Sequence, residues 1–316
     1  MASSATSVNG LVAPREVIGR TLARIADENP KLVVLDADLA RSTRADGFEA
    51  AHPERWLQLG VAEQNVVGVA SGLSYAGYHP VFASMAMFSL ALPWTQLRQA
   101  AYAGLSMTII GTHPGLDVGP DGGTHQMLED LALARVLPEV TVLAPCDGPE
   151  TEAAIEWSIG HPGITYVRIA RQPVRELHAD GSAFEVGRAE VIADHGRDAV
   201  LVAEGSMVSI ADDVAQALLA DGIATTVVNI RSIKPIDAEL LSALADETAC
   251  MIAIENHSVL GGLGSAVAEV VGGRTRVERL GTPDKFGSSA SADELRAHFR
   301  LDAPGLEASI RGLLGR

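Results

Sequence analysis

Aromatic residues and cysteines are scarce in this sequence. Only 4% of the 316 residues are Phe, Trp or Tyr, and small aliphatic side chains supply most of the apolar bulk, as in close-packed α/β layers. The two cysteines, Cys146 and Cys250, lie far apart and form no CxxC motif, so nothing indicates a disulfide framework. We expect two buried thiols in a reducing compartment, and we therefore predict a cytoplasmic protein.

Positive charge is scarce as well. There are 24 Lys and Arg residues against 40 Asp and Glu residues, which gives a formal net charge of −16. This excess argues against binding to nucleic acid or to an anionic membrane surface, because both need clustered cations. Any site for a phosphorylated substrate has to gather its few cations locally.

Charged residues are missing altogether from Val66 to Leu97, a stretch long enough to cross a bilayer. Gly68, Gly72 and Pro93 interrupt it, so buried helices and a strand explain it better than a membrane span. Such a run also suggests burial on several sides, as at a subunit interface. Residues 1–10 are polar, lack the apolar run of a signal peptide and are predicted to be a disordered tail.

Several motifs of familiar catalytic and nucleotide sites are absent, namely GxxxxGK[ST], HExxH and GxSxG. The segment GGLGSAVAEVV, residues 261–271, resembles a dinucleotide-binding turn but lacks the third glycine of GxGxxG. We interpret it as a glycine turn that allows a helix to pack closely on a strand.

Apolar strand-like runs alternate with amphipathic helical runs, which predicts an α/β fold with parallel sheets flanked by helices. The pattern divides into a first domain over 11–175, a linker over 176–190 and a smaller α/β domain over 191–316. Within the first domain it predicts a helix from Leu90 to Tyr102, a strand over 107–112 and a helix over 127–136.

The loop HPGLDVGPDGGTHQ, residues 113–126, follows the carboxyl end of a predicted strand, where open α/β sheets bind ligands. It contains His113 and His125 on either side of a glycine-rich turn with Asp117 and Asp121. These residues alone are compatible with a metal site, an anion-binding loop or a tight surface loop.

Glu63 opens a predicted helix, and the next charged residue is Arg98. One interpretation is an acid in the first turn, favoured by the helix dipole. The other is a carboxyl group in apolar surroundings, where desolvation keeps it protonated near neutrality and able to donate a hydrogen bond.

Six segments together resemble the transketolases. Those that resemble the pyrimidine-binding domain of that family are LGVAEQNVVGVASGLSYAGYHPVFAS (59–84), the segment 111–147 and RIARQPV (168–174). Those that resemble its C-terminal domain are IRSIKPID (230–237), ENHSVLGGLGSAVAE (255–269) and GTPDKFGSSAS (281–291). The chain therefore resembles the C-terminal half of a split transketolase, an enzyme dependent on thiamine diphosphate.

The resemblance implies roles for individual residues. Glu63 matches the catalytic acid that hydrogen-bonds the aminopyrimidine of the cofactor. The other positions that match cofactor contacts are Asp38, Leu39, Val61, Met85 and Phe88. Those that match substrate-phosphate contacts are Arg15, Ser42, His113 and Arg171. Asp121 and His125 match a pair that contacts sugar hydroxyls near the reacting carbons, and His125 is predicted to be catalytic. The segment ASMAMFS is one residue short of the usual two-aromatic pattern, so Met85 or Ala86 replaces one ring.

The resemblance also implies a partner. The chain lacks GDG followed some 25–30 residues later by Asn, the motif that binds Mg²⁺ and diphosphate, so we expect no metal ligand in this chain. Thiamine diphosphate and Mg²⁺ would be shared with an N-terminal subunit in an α2β2 assembly, with a homodimer contact through this chain. The implied reaction is transfer of a two-carbon ketol unit from a ketose phosphate to an aldose or aldose phosphate.

Two alternatives remain at this point. One is a related thiamine enzyme, either the β subunit of a 2-oxo-acid dehydrogenase or a deoxyxylulose-phosphate synthase. DGGTHQ and RQP argue against the dehydrogenase, and His113 argues against the synthase, which tends to have Asp there. The other is a catalytically silent scaffold subunit, against which the retention of Glu63 argues.

Overall fold

Strands and helices alternate along the chain, as predicted. The computed structural model describes residues 10–316, so the predicted tail lies outside the described residues except for Gly10. The strands are β1 (Leu32–Asp36), β2 (Trp56–Gln58), β3 (His79–Met85), β4 (Met107–Thr112), β5 (Val140–Leu143), β6 (Ile164–Ile169), β7 (Glu190–Asp194), β8 (Ala199–Ala203), β9 (Thr225–Asn229), β10 (Ser232–Lys234), β11 (Cys250–Ser258) and β12 (Arg276–Thr282). The helices are α1 (Ile18–Glu28), α2 (Ala40–Thr43), α3 (Asp46–Ala51), α4 (Glu63–Tyr75), α5 (Trp94–Tyr102), α6 (Asp130–Arg135), α7 (Gly148–Gly160), α8 (Met207–Ala220), α9 (Ala238–Glu247), α10 (Leu263–Val271), α11 (Ala292–His298) and α12 (Ala303–Leu314).

The first sheet has seven strands in the order β10-β5-β6-β4-β3-β1-β2. All neighbours from β5 to β2 are parallel, and only the edge strand β10 runs antiparallel. Every residue of β1, β3, β4 and β6 is buried, as expected for parallel strands covered by helices on both faces. The carboxyl ends of these strands therefore meet at one edge of the sheet.

The second sheet has five strands in the order β12-β11-β8-β9-β7, of which only β7 is antiparallel to its neighbour. Strand β10 follows β9 in sequence but pairs with β5 of the first sheet. The segment 191–316 therefore contributes a strand to the other sheet, a long-range pairing that the local sequence pattern did not reveal.

Some predicted helix limits were wrong. The helix predicted from Leu90 to Tyr102 is present as α5 but begins only at Trp94, and a π-helical turn, Met87–Ala91, precedes it. Pro93 lies between them, and because proline has no N–H it cannot continue the helical hydrogen bonds across this point. The helix predicted over 127–136 is confined to Asp130–Arg135.

Both cysteines are buried and unpaired, as expected. Among the described residues, no helix is both long enough and apolar enough to cross a membrane.

A buried arginine joins the two sheets. Arg168 on β6 is 3% exposed and its Nε lies 2.7 Å from Oδ2 of Asp130, while its Nη1 lies 2.8 Å from Oε2 of Glu204, which follows β8. Its Nη2 donates to the carbonyl oxygen of Asn256 on β11 at 2.7 Å. Because both carboxylates are wholly buried, removal of the guanidinium would leave two uncompensated charges.

We expect Arg168→Met to reduce the free energy of unfolding by about 3–5 kcal/mol, because it leaves these two buried carboxylates without a positive partner. The matched control is Arg20→Met, which removes an ion pair between an arginine with a 42% exposed side chain and Glu152. The control should lose less than about 1 kcal/mol, since such pairs are screened by solvent. Equal losses in urea denaturation would show that Arg168 does not hold the two sheets together.

Candidate active site

The predicted site residues converge on one edge of the first sheet. Except for Arg15, each lies at or just after the carboxyl end of one of five adjacent parallel strands, β6, β4, β3, β1 and β2. They are Arg171 after β6; His113, Asp121 and His125 after β4; Met85 and Phe88 at β3; Asp38, Leu39 and Ser42 after β1; and Val61 and Glu63 after β2. Arg15 lies in a 3₁₀ turn, Pro14–Val17, that precedes α1. Open α/β sheets bind their ligands at such an edge.

Of the four residues predicted to bind phosphate, Arg15 directly contacts two others, Ser42 and His113. Nη1 of Arg15 donates to the carbonyl oxygen of Ser42 at 2.8 Å and lies 3.1 Å from Nε2 of His113. The buried Nε of Arg15 has no hydrogen-bond partner among the described residues. Arg171 donates to the carbonyl oxygen of Val118 at 2.5 Å. Burial, together with the charges of Arg15 and then Arg171, lowers the pKa of His113 to about 3.

These residues form a local patch of two guanidinium groups and one buried imidazole in a strongly acidic protein. An unpartnered buried N–H is costly unless a ligand accepts from it. The patch is therefore suited to an oxyanion such as a phosphate.

Glu63 is the first residue of α4, and it is 7% exposed. No described side chain forms an ion pair with it, and no side chain caps the start of its helix. Val61, two residues before it, is 77% exposed. A carboxyl group placed in this way is available to form a hydrogen bond with a ligand at the edge of the sheet.

The π-helical turn at Met87–Ala91 places Phe88 against the loop after β4, residues 113–126. The Phe88 ring meets the imidazole of His125 edge to face, with ring centroids 5.4 Å apart. Met85, the last residue of β3, is buried, and Ala86 is wholly buried. π turns are rare and occur frequently at functional sites, and this one overlaps the segment ASMAMFS, residues 83–89, at residues 87–89.

The loop after β4 rests on the second sheet and its helices. Asp117 is wholly buried, and its Oδ1 accepts from Nη2 of Arg296 on α11 at 2.6 Å and from Nδ2 of Asn256 on β11 at 2.9 Å. Oδ1 of Asp117 is thus occupied by two donors from the second half of the chain. Neither Asn256 nor Arg296 could be predicted as a partner of Asp117 from local sequence, since each lies well over a hundred residues from it.

The far end of the same loop is equally close to the second half of the chain. A Cβ atom on Gly123 would lie 2.9 Å from the carbonyl oxygen of Gly287, and one on Gly122 would lie 2.4 Å from Oγ of Ser289. This contact fixes the backbone that carries Asp121, which is exposed, and His125, which is half-buried.

One cluster away from this edge has the residue types of a metal site. One ligand atom from each of Cys146, Asp147, Glu150 and His178 lies within 4.8 Å of the others. These groups are occupied by one another, because His178 Nδ1 lies 2.8 Å from Asp147 Oδ2 and Glu150 accepts from the backbone N–H of Cys146 at 2.9 Å. The guanidinium of Arg231, 2.9 Å from Glu150, already supplies the positive charge.

The glycine turn before α10 has a packing role. The carboxylate of Glu255 accepts from the backbone N–H groups of Leu263 and Gly264, at 2.7 Å and 3.2 Å. A Cβ on Gly262 would lie 2.2 Å from that carboxylate. The interpretation of this turn as close packing, rather than as a dinucleotide site, agrees with these contacts.

Comparison with known proteins gives the family. A sequence profile described as transketolase, pyrimidine binding domain, matches residues 11–176, and one described as transketolase, C-terminal domain, matches residues 187–306. The chain belongs to the transketolase family. The resemblance noted in the sequence, to the C-terminal section of a split transketolase, and the predicted α/β fold are both confirmed.

Similar proteins within the transketolase family differ in length. A transketolase C-terminal section from Methanocaldococcus jannaschii is 37% identical over 302 residues, covering 94% of both chains. A 6-deoxy-6-sulfo-D-fructose transketolase subunit from Clostridium is 35% identical, covering 89% of this chain and 88% of that protein. A 1-deoxy-D-xylulose-5-phosphate synthase from Geobacter sulfurreducens is 36% identical, but the match covers only 49% of its length.

A solved structure of a split-gene transketolase, described as an inactive β4 tetramer, has the same fold. It is 39% identical to this chain and superposes with a TM-score of 0.87, covering 97% of this chain and 99% of that one. The roles of the individual site residues in this chain remain predictions.

The contact between the loop after β4 and the second sheet can be tested at Gly115. Its φ is +59°, and an added Cβ would lie 2.2 Å from the carbonyl oxygen of Asn256, the same oxygen that Arg168 contacts. We expect Gly115→Ala to reduce the free energy of unfolding by at least about 1 kcal/mol.

Gly312→Ala is the control, because Gly312 lies within α12 and an added Cβ would meet nothing within 4 Å. It should raise the free energy of unfolding by up to about 1 kcal/mol. A Gly115→Ala chain as stable in urea as the wild type would show that the loop is not held in this way.

Proposed function

We propose that this chain is the C-terminal, or β, subunit of a split transketolase. It would transfer a two-carbon ketol unit from a ketose phosphate to an aldose or aldose phosphate, with thiamine diphosphate and Mg²⁺ shared with an N-terminal subunit. The proposal rests on what lies together at one edge of the first sheet. The buried carboxyl group of Glu63 has no ion pair, and the patch that contains Arg15 and Arg171 is suited to an anion.

The residues present fit the aminopyrimidine of thiamine diphosphate. Glu63 offers a carboxyl group without a competing ion pair, Phe88 offers an aromatic face, and the buried Met85 offers apolar surface. Asp38, Leu39 and Val61 would complete the contacts. When bound, this cofactor supplies the electron sink for breaking and forming the carbon–carbon bond.

The chain's own residues would bind and orient the cofactor and the substrate, and would hold or transfer protons. Glu63 would hold a proton in a hydrogen bond to the cofactor's aminopyrimidine. Arg15 and Arg171, with Ser42 and His113, would bind the substrate phosphate, and so fix the distance of the reacting carbons from it.

Two residues of the loop after β4 would act on the sugar itself. Asp121 and His125 would contact its hydroxyl groups. His125 would also transfer a proton near the reacting carbons.

The surface of α4 supports a partner at this edge. Its exposed positions include Gln64, Asn65, Gly68 and Gly72, none of them charged, and an added Cβ at either glycine would meet nothing within 4 Å. An uncharged face lined by small residues suits close packing of another subunit. We propose an α2β2 assembly in the cytoplasm, with the Mg²⁺ ligands on the N-terminal subunit and contacts between the two copies of this chain.

The relatives bear on both assembly and substrate. The similar split-gene protein is described as inactive as a β4 tetramer, which supports a requirement for the other subunit. The sulfofructose transketolase subunit indicates that the anionic group of the sugar can differ within the family. A deoxyxylulose-phosphate synthase activity is the second candidate, favoured by the 36% identity to that enzyme.

The reaction can be tested by mixing this chain with its N-terminal partner, thiamine diphosphate and Mg²⁺. We expect two-carbon transfer from xylulose 5-phosphate to ribose 5-phosphate in the mixture and none with either chain alone. Glu63→Gln should lower kcat by about 10²–10⁴-fold, because the amide keeps the size of the side chain but cannot exchange its proton.

The control is Glu28→Gln at the exposed end of α1, which should retain wild-type kcat. Turnover by this chain without the partner would refute the split-site proposal. Formation of deoxyxylulose phosphate from pyruvate and glyceraldehyde 3-phosphate, without ketol transfer, would favour the second candidate.

If the patch that contains Arg15 and Arg171 binds the substrate phosphate, Arg15→Met should weaken binding of phosphorylated acceptors selectively. Since a hydrogen bond to a charged group contributes about 1.5–3 kcal/mol, KM for a phosphorylated acceptor should rise about 10- to 150-fold. KM for a short unphosphorylated aldehyde acceptor should change little. Arg41→Met, which removes an exposed arginine of α2 at the same edge of the sheet, is the control. An equal rise in KM for both acceptors would contradict a phosphate-binding role.

A further inference from the structure

Two of the loops that carry predicted cofactor contacts are joined through one side chain. Asp38 and Leu39 lie after β1, and Glu63 opens α4 after β2. The strands β1 and β2 are parallel neighbours, with Asp36 paired with Gln58 at their carboxyl ends. Gln58, the last residue of β2, therefore lies where both loops begin.

The side-chain amide of Gln58 binds both loops at once. Its Oε1 accepts from the backbone N–H of Asp38 at 3.2 Å and from that of Gly60 at 2.9 Å. Its Nε2 donates to Oδ2 of Asp36 at 2.6 Å, and Oδ1 of the same carboxylate accepts from the N–H of Leu39 at 3.1 Å. Because backbone N–H groups only donate and a carboxylate only accepts, the amide fits in this orientation and not in the flipped one.

Both loops have backbone conformations that need support from such contacts. The φ angle is +66° at Asp38 and +72° at Gly60. A left-handed conformation is uncommon for a residue other than glycine, and it persists only where surrounding contacts fix it. The one oxygen of Gln58 accepts from both of these N–H groups, while Asp36, which is 1% exposed, holds the other end of the amide.

We propose that Gln58, held by Asp36, is a positioning residue for the cofactor site. It fixes the spacing between the loop with Asp38 and Leu39 and the loop that leads to Glu63. It acts through the backbone N–H groups that its amide binds, and not through contact with the cofactor. The inference rests on the proposed function for the identity of the cofactor.

The hydrogen bonds can be tested on the full chain without a catalytic assay. Gln58→Met keeps the length of the side chain but removes the amide. We expect the backbone amides of Asp38 and Gly60 to exchange with deuterium about three- to tenfold faster in this variant, measured by NMR, because each loses its acceptor. The control is Gln216→Met on α8, whose exposed side chain lies 3.3 Å from Nε2 of His195, and it should leave both rates unchanged. Unchanged exchange in Gln58→Met would overturn the inference.

An exchange of donor and acceptor separates positioning from a general structural role. Asp36→Asn leaves one side-chain oxygen for two donors, and Gln58→Glu sets two carboxylates against each other. In the complex with the N-terminal subunit, each single variant should raise the Kd for thiamine diphosphate by about tenfold or more.

The double variant, Asp36→Asn with Gln58→Glu, restores one donor and one acceptor in exchanged order. Its carboxylate at position 58 can still accept from both loop N–H groups, so its Kd should return to within about threefold of the wild type.

Increases in Kd that add in the double variant, or single variants that bind the cofactor as tightly as the wild type, would overturn the inference and leave the proposed function intact. Failure of the wild-type complex to bind thiamine diphosphate would instead count against the proposed function. The exchange rates would then still decide whether Gln58 joins the two loops.

Discussion

The structure depends on one buried charge. Arg168 satisfies Asp130 beside the first sheet and Glu204 beside the second, and it also donates to the backbone of β11. Buried ion pairs add little stability compared with apolar side chains, but removal of any one of these three groups would leave a buried charge uncompensated. The relative position of the two sheets is thereby specified, and everything that rests on both sheets depends on it.

The loop after β4, residues 113–126, rests on both sheets. It leaves the first sheet at the carboxyl end of β4, and the buried Asp117 binds it to Asn256 and Arg296 in the second half of the chain. Second-domain residues thus position the backbone that carries His125, although none of them was predicted to contact a ligand. We infer that the second domain contributes to the active site by supporting this loop.

Much of the fold and the position of the candidate site could be predicted from the sequence. Parallel strands bring their carboxyl ends together, so residues as distant as Ser42 and Arg171 converge on one edge. The Arg296–Asp117 contact joins residues 179 positions apart, and the pairing of β10 with β5 is also long-range, so local periodicity does not indicate either. The π turn at Phe88 was missed because an apolar run with a proline is compatible with an ordinary helix start.

We propose that this chain holds half of a cofactor site. The most direct test is isothermal titration of thiamine diphosphate, with Mg²⁺ present, into this chain, into the N-terminal subunit and into their equimolar mixture. We expect tight, Mg²⁺-dependent binding only in the mixture, at one cofactor per pair of chains. Tight binding to this chain alone would contradict it, because the site would then be complete without a partner.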